Sequence, residues 1–414
     1  MMLLKIAWRS LWRNHRRSFL VIAAITFAAS LTMIKMNVDN GTIMEAIEES
    51  ARLSTGFMQI QKPGYVDNPT LQKSFAYSRT LEDVLQRNSL ITGISPRIQA
   101  DGLLSYKEHS IGAVILGISP ASEKSITDFH NKVSSGHFLS TDTSPDHVAP
   151  EIVVGYRLLQ NLKAEVGDSI VVLCQGFDGV LSNMFARIVG TFKTGSDEFD
   201  RMGAFMNLTD IQPFLSMENR VNAIAICVGN MEDVPRATAE LNSILKPVGL
   251  VAVPWQTLMP QMEQTYQFKQ SGDIVFMVIL LTVVGFGILN AVLMSVTERF
   301  REYGVALSLG MRQGKLAVTV AIEIFFMIII GIFLGNLIGV GISYYIFAHP
   351  IVIGGNLEKI YEQYGFNVPT ITSYVSARTS IVASTAIIII SSVSTFYPLW
   401  RVLRLEPLKG IRHT

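Results

Sequence analysis

The chain has 414 residues, 49% of them hydrophobic and only 16% charged, with 34 Lys and Arg against 33 Asp and Glu. That balance is too apolar for an ordinary soluble chain of this length, and a formal net charge of +1 excludes the strong global field of a nucleic-acid binder. The placement of the charges therefore says more than their sum.

Residues 1–17 carry Lys5, Arg9, Arg13, Arg16 and Arg17 together with an apolar stripe, Leu4, Trp8, Leu11 and Trp12, suited to a helix lying on a membrane interface. The first apolar run, 18–37, follows directly. Its basic start, short apolar core and small residues Ala28, Ala29 and Ser30 also describe a cleavable signal peptide, but the amphipathic stripe favours a retained anchor. Beyond it MNVDNGTIMEAIEESARL, with Ile43, Ile47 and the acidic Glu45, Glu48 and Glu49, keeps helical character and predicts a stalk.

An external domain over 38–272 reads as mixed α/β. GFMQIQ predicts a strand, TLEDVLQRNS a helix and ISPRIQADGLLSY a strand; later NAIAICV, VPRATAELNSILK and GLVAVP repeat that order. Between the two units, 120–210 is β-rich, with EIVVG, DSIVVL and FARIVGTF separated by turn residues. LMPQMEQTYQFKQSGD, with Met262, Tyr266 and Lys269 at helical spacing, predicts a second stalk.

Three further apolar runs follow, 273–297, 316–347 and 377–398, each close to or above the roughly 20 residues that a helix needs to cross about 30 Å of hydrocarbon. Lys5 to Arg17 precede the first span, Arg299, Arg301, Arg312 and Lys315 separate the second from the third, and Arg401, Arg404, Lys409 and Arg412 follow the fourth. The positive-inside rule puts those three segments in the cytoplasm, with both termini inside, and 38–272 and the short loop 348–376 outside.

Enzyme motifs fail. GMRQGKL at 310–316 is one residue short of a phosphate-binding loop and has Leu316 where a hydroxyl would hold Mg²⁺. G-x-S-x-G and H-E-x-x-H motifs are missing from the sequence. His130, His137 and His147 lack the spacing of metal ligands, so no metal site is expected. Cys174 and Cys227 read as buried free thiols.

The charged island TERFREYGVALSLGMRQGK, 297–315, places Phe300, Tyr303, Leu307 and Met311 at steps of three and four, one apolar stripe on a helix, with Arg299, Glu302 and Arg312 on other faces. Such a helix is either an interfacial connector or a docking surface for a soluble partner. In the third span Gly331, Gly335 and Gly339 recur every fourth residue and let a neighbouring helix approach closely. Glu323 at membrane depth demands a partner, for which a nearby arginine suits better than a proton relay. Asn290 and Asn336 suit interhelical hydrogen bonds.

Three stretches carry a resemblance to the FtsX-like permeases of MacB-type ABC transporters over essentially the whole chain. AWRSLWRNHRRSFL resembles the family's basic leading helix, NAVLMSVTERFREYGVALSLGMRQGKL its coupling segment, and YPLWRVLRLEPLKGIR its closing motif, although Tyr303-Gly304-Val305 departs from the usual acidic-Ile-Gly run. The resemblance implies a four-helix membrane protein of 1 + 3 topology with a large extracytoplasmic MacB-like α/β domain, a porter-like part plus a β-rich insertion. It implies the following segments: leading helix 1–17, span 18–37, stalks and external domain 38–272, span 273–297, coupling helix 298–315, span 316–347, external loop 348–376, span 377–398 and cytoplasmic tail 399–414. It also implies a non-catalytic permease of the bacterial inner membrane with no cofactor of its own. ATP and Mg would sit on a separate ABC ATPase dimer contacted through Glu298, Arg299, Phe300, Glu302, Tyr303, Leu307, Gly310 and Met311. A second permease subunit, membrane lipid and a periplasmic carrier or adaptor are the other implied partners.

The external pattern is most similar to lipoprotein-releasing, LolC/LolE-like permeases. Macrolide or peptide exporters and FtsX-like transducers that control an envelope hydrolase are the alternatives. In the lipoprotein reading Met33, Met36, Phe276 and Leu280 are expected to line an acyl-chain cavity, flexible apolar side chains being tolerant of varied tails.

Overall fold

The computed structural model describes residues 2–13, 15–141, 149–352 and 370–404. His147, most of the loop 348–376, and Lys409 and Arg412 with the rest of the closing motif beyond 404 lie outside the described residues. Two compact units emerge. Residues 2–44, 266–352 and 370–404 form a helical unit, and 45–265 form an α/β unit.

Among the described residues four helices are long and apolar enough to cross a membrane, within His15–Leu53, Pro260–Glu298, Gln313–Ala348 and Ala377–Leu403. The third carries the Gly stripe into the first. An added Cβ at Gly331, Gly335 or Gly339 would lie 2.7 Å from Ile25, 2.4 Å from Ala29 or 2.9 Å from Met33 respectively. The missing side chains thus set the approach of the two backbones. Thr26 Oγ1 donates to the Gly331 carbonyl at 3.2 Å, and Asn37 Nδ2 donates to Ser343 Oγ at 3.0 Å with both residues fully buried. Asn336 Nδ2 donates to Ser384 Oγ of the fourth helix at 2.9 Å. Gly41 faces the Ser373–Tyr374 backbone so closely that a Cβ would meet it at 2.6 Å, and Tyr374 N–H donates to the Asn37 carbonyl at 2.9 Å.

The second spanning helix is held differently. Ile288, Val292 and Val296 enter the core of the helical unit and Gly285 abuts Ile390, but Phe268, Ile274, Val275, Phe276, Val278 and Ile279 leave their apolar surface exposed. Toward that end Lys35 Nζ donates to Asp273 at 2.6 Å and also to Asp39, with Lys269 3.9 Å from Asp39.

In the α/β unit, β1 (Met58–Gln61), β3 (Ile91–Tyr106), β4 (His109–Ile118), β5 (Val133–Gly136), β6 (Glu151–Gly155), β7 (Ser169–Gln175), β8 (Leu181–Phe192), β9 (Gly203–Asn207), β11 (Ala223–Val228) and β12 (Val251–Pro254) join one sheet; β2 (Phe75–Ala76) pairs separately with β10 (Arg220–Val221). Its order is β12-β1-β11-β3-β4-β9-β6-β8-β5, with β7 bridging β3 and β8. The early and late sequence units therefore interleave, β1 lying antiparallel between β12 and β11 with Met58 opposite both Pro254 and Ile226. Every residue of β11 is buried, matching its unbroken apolar run. Helix Val234–Leu245 buries Val234, Ala237, Leu241 and Leu245 at helical spacing. The Asn242 amide exchanges two hydrogen bonds with Ala252 of β12, at 2.8 and 3.2 Å. The middle segment has its own aromatic core, in which Phe129, Phe192, Phe199 and Phe205 contact one another with ring centroids 4.3–6.2 Å apart.

Cys174 and Cys227 are free and buried. Burial, with a contribution from Asp101, pushes the Cys174 thiol up to about 12, and burial raises Cys227 as well. Because the thiolate is the reactive form, on the order of one Cys174 in ten thousand is ionised at pH 8. A maleimide reagent at pH 8 is expected to modify native protein at least tenfold more slowly than denatured protein at both positions. Equal rates would refute this assignment.

A candidate coupling site in the charged island

The second spanning helix ends at Glu298, Arg299 breaks the helical path, and a nine-residue helix runs from Phe300 to Ser308. Its end is set by glycine. Gly310 adopts φ +94°, its N–H donates to the Leu307 carbonyl at 3.0 Å, and the Met311 N–H donates to Ala306 at 3.1 Å, the two bonds of a left-handed helix cap. The third spanning helix restarts at Gln313, so the island is a helix and a turn and not one helix over 298–315.

The apolar stripe points inward. Phe300, Tyr303 and Leu307 are buried in one core with Leu11, Val21, Ile288, Val296, Leu316, Val320 and Val402, and Met311 packs against it half-buried. Phe300, Leu307 and Met311 therefore do not offer themselves as plugs for a partner's groove, because the chain's own helices cover that face. Burial raises the pKa of the Tyr303 phenol, which stays protonated.

Arg299, assigned from sequence to an outer face, is also covered. Its Nη1 donates to both carboxylate oxygens of Glu323 at 2.8 Å each, with the two residues 9% and 5% exposed. The guanidinium lies 5.1 Å from the Tyr303 ring centroid, and its Nε reaches Glu302 at 3.4 Å. Glu302 also accepts from Arg13 of the leading helix Met2–Arg13 at 2.7 Å. Arg401 stands over the Phe300 ring at 5.7 Å. The island helix is thus keyed into the helical unit by a buried ion pair beneath and charged contacts at its rim.

What remains open is a different face. Glu298, Arg301, Glu302, Ser308, Gly310 and Arg312 are exposed, as are Val305 at 48% and Leu309 at 84%. Val305 and Leu309, four residues apart, form an apolar pair flanked by Arg301 and Arg312. Sequence periodicity missed this pair because the longer stripe alongside it dominates the pattern; the glycine after Leu309, which puts that side chain on a turn, is the signal that could have found it.

The other sequence-predicted positions separate. Met33 is fully buried against Gly339, its helix being rotated so that it faces the third span. Met36 and Leu280 are half-buried and Phe276 is 43% exposed, with Lys35 Nζ 4.7 Å from its ring centroid. Among the described residues no group of three or more His, Cys, Asp or Glu side chains could hold a metal.

The family description FtsX-like permease C-terminal matches residues 274–407, and the description MacB-like periplasmic core domain matches residues 18–244. The chain belongs to this family of FtsX-like permeases with a MacB-like periplasmic core, the permeases of ABC transporters. It is 21% identical over 413 residues to the lipoprotein-releasing system transmembrane protein LolC of Neisseria meningitidis serogroup B, covering 97% of this chain and 96% of that one. It is 24% identical over 417 residues to the macrolide export ATP-binding/permease protein MacB of Acinetobacter baylyi, covering 98% of this chain but 59% of the relative's length. Among solved structures, the periplasmic region of MacB from Actinobacillus actinomycetemcomitans aligns at 16% identity with a TM-score of 0.37, covering 53% of this chain and 97% of that one. The extracellular domain of the ABC-type transporter YknZ aligns at 11% identity with a TM-score of 0.34, covering 48% and 98%.

Proposed function

We propose that this chain is a non-catalytic permease subunit of the bacterial inner membrane that receives the motion of a separate ABC ATPase dimer and passes it to its extracytoplasmic α/β unit, extracting lipoproteins or similar amphiphiles. Both termini and the island face the cytoplasm, as the arginine and lysine distribution supports. ATP and Mg sit on the ATPase, a second permease subunit completes the pair, and a periplasmic carrier or adaptor takes the product. The observation that carries the reading is the island's two-sidedness. A helix locked from below by Arg299 and Glu323 presents Leu309, 84% exposed, beside Arg301 and Arg312. A rigidly held knob of that kind transmits displacement, whereas a floppy loop absorbs it. Two long helices, His15–Leu53 and Pro260–Glu298, contribute residues to both compact units and supply the path. The end-to-end match with a protein named for lipoprotein release supports amphiphile extraction.

Leu309→Glu is expected to leave the permease inserted and folded while lowering co-purification of its ABC ATPase partner at least tenfold. Unchanged ATPase recovery and unchanged transport would reject the docking face. Reconstituted in proteoliposomes, the complex is expected to transfer an acylated protein to a soluble acceptor; export of a macrolide without such transfer would move the chain to the alternative substrate class.

A further inference from the structure

The first long helix ends at Leu53, and the chain then turns through Gly56, at φ +73°, into β1. Carbonyls in the last turn of a helix lack intrahelical partners. One of them, that of Ser54 just past the helix end, accepts a hydrogen bond from Arg97 Nη1, although Arg97 lies 43 residues away on β3. The same guanidinium donates from Nε and Nη2 to the two oxygens of Glu123, at 3.2 and 2.5 Å. Glu123 in turn accepts from Ser95 Oγ at 2.7 Å and Thr127 Oγ1 at 2.8 Å. Arg97 and Glu123 are 3% and 1% exposed.

A buried ion pair of this kind gains little over well-packed apolar residues, so stability alone does not account for it. What an apolar pair does not provide is direction: a planar guanidinium held on two sides fixes the position of the third group it binds. Packing holds one face of the helix end, where Ile47 and Ala51 are fully buried, but leaves the face toward Arg97 open. A cleft of about 410 Å³ runs beside the helix end, lined by Ser50, Leu53, Ser54, Thr55, Arg97 and Asn222 among others. Local bonds also tie the turn, Gly56 N–H donating to the Ala51 carbonyl at 2.8 Å and Gln59 Nε2 to the Thr55 carbonyl at 3.0 Å, and beyond the glycine Phe57 N–H donates to Ile226 at 2.9 Å while its carbonyl accepts from Trp255 at 3.0 Å.

We propose that Arg97 is a positioning residue, which clamps the end of the first long helix to the sheet and stops the junction from pivoting at Gly56, so that displacement of the helix is delivered to the α/β unit. The use of the clamp rests on the transmission role proposed above; its existence does not. Arg97→Met alone would strand Glu123, so the informative variant is Arg97→Met/Glu123→Leu, which removes both charges together. It is expected to keep the wild-type melting temperature within a few degrees and to retain ATP hydrolysis in the complex with its ATPase. Spin labels at Glu49 and Val248, both exposed, should then show a distance distribution at least twice as broad without nucleotide, and substrate transferred per ATP should fall at least tenfold. Arg97→Lys, with one ammonium still able to reach Ser54, should recover part of both. An unchanged distribution, or an unchanged transport-to-hydrolysis ratio, overturns the proposal. A wild-type complex that hydrolyses ATP while the label distances never change refutes the transmission role instead, and the nucleotide-free widths still decide whether Arg97 is a clamp.

Discussion

Arg299→Met is expected to lower the stability of the folded chain by about 3–5 kcal/mol, the range found when one member of a buried ion pair is removed and the other keeps its charge. Glu323 is 5% exposed and receives two bonds from the same Arg299 nitrogen. Its span is among the most apolar segments, so water offers it little relief. The pair also secures the island, since Tyr303 and Glu302 pack against the guanidinium. The variant should therefore lose detergent-resistant helicity at lower temperature, seen by circular dichroism, and should recover less ATPase in pull-downs. Arg299→Met/Glu323→Leu, with no stranded charge, is expected to return to within about 1–2 kcal/mol of the parent, because apolar replacement of a buried pair is often close to neutral. If the single variant melts with the parent, the pair is not structural.

The second large effect is steric. At Gly335 a Cβ would stand 2.4 Å from Ala29 Cβ and 2.9 Å from the Thr26 carbonyl, so even alanine forces the first and third helices apart. Overpacking of this kind costs roughly 1–3 kcal/mol for a small addition and more for a large one. Gly335→Leu should fall beyond that range and prevent stable assembly. Gly335→Ala should be milder and be partly rescued by Ala29→Gly, which vacates the very atom that collides. Denaturant titration in micelles reads both. Gly341, with open space around its Cβ position, provides the control: Gly341→Ala should change nothing measurable. A Gly335→Leu protein as stable as the parent would mean that the helices do not cross there.

Much of this was legible in the sequence because it depends on one-dimensional regularities. Apolar runs of sufficient length, basic residues at their ends and glycine every fourth residue mark spans and a close crossing without knowledge of the neighbours. Glu323 announced a need for a cation by its cost alone. The failures share a cause as well. Periodicity shows that Phe300, Tyr303 and Leu307 form one face, but whether that face meets a partner or the chain's own helices is a property of the tertiary fold, and here the chain covers it. That Met33 turns toward the third span could not be read in advance, because hydropathy does not fix helix rotation. Arg97 and Glu123 stand 26 residues apart on a strand and a short helix, with no local spacing to reveal that they meet.

The uneven burial of the second spanning helix has a mechanical meaning. Ile288, Val292 and Val296 are embedded at the island end, whereas from Phe276 back to Phe268 much of the apolar flank is bare and Lys35 supplies a salt link to Asp273. Such a helix behaves as a beam set firmly at one end and tied at the other by the ion contacts of Lys35 with Asp273 and Lys269 with Asp39. From Val292 to Lys269 it is about 35 Å long at 1.5 Å per residue. A tilt of about 10° at the root would sweep the tip through about 6 Å over that length, so a displacement too small to disturb close-packed side chains at the fixed end becomes large at the other. The first, third and fourth helices, stitched together by glycine contacts, by Asn37 with Ser343 and by Asn336 with Ser384, form the wall into which that beam is set.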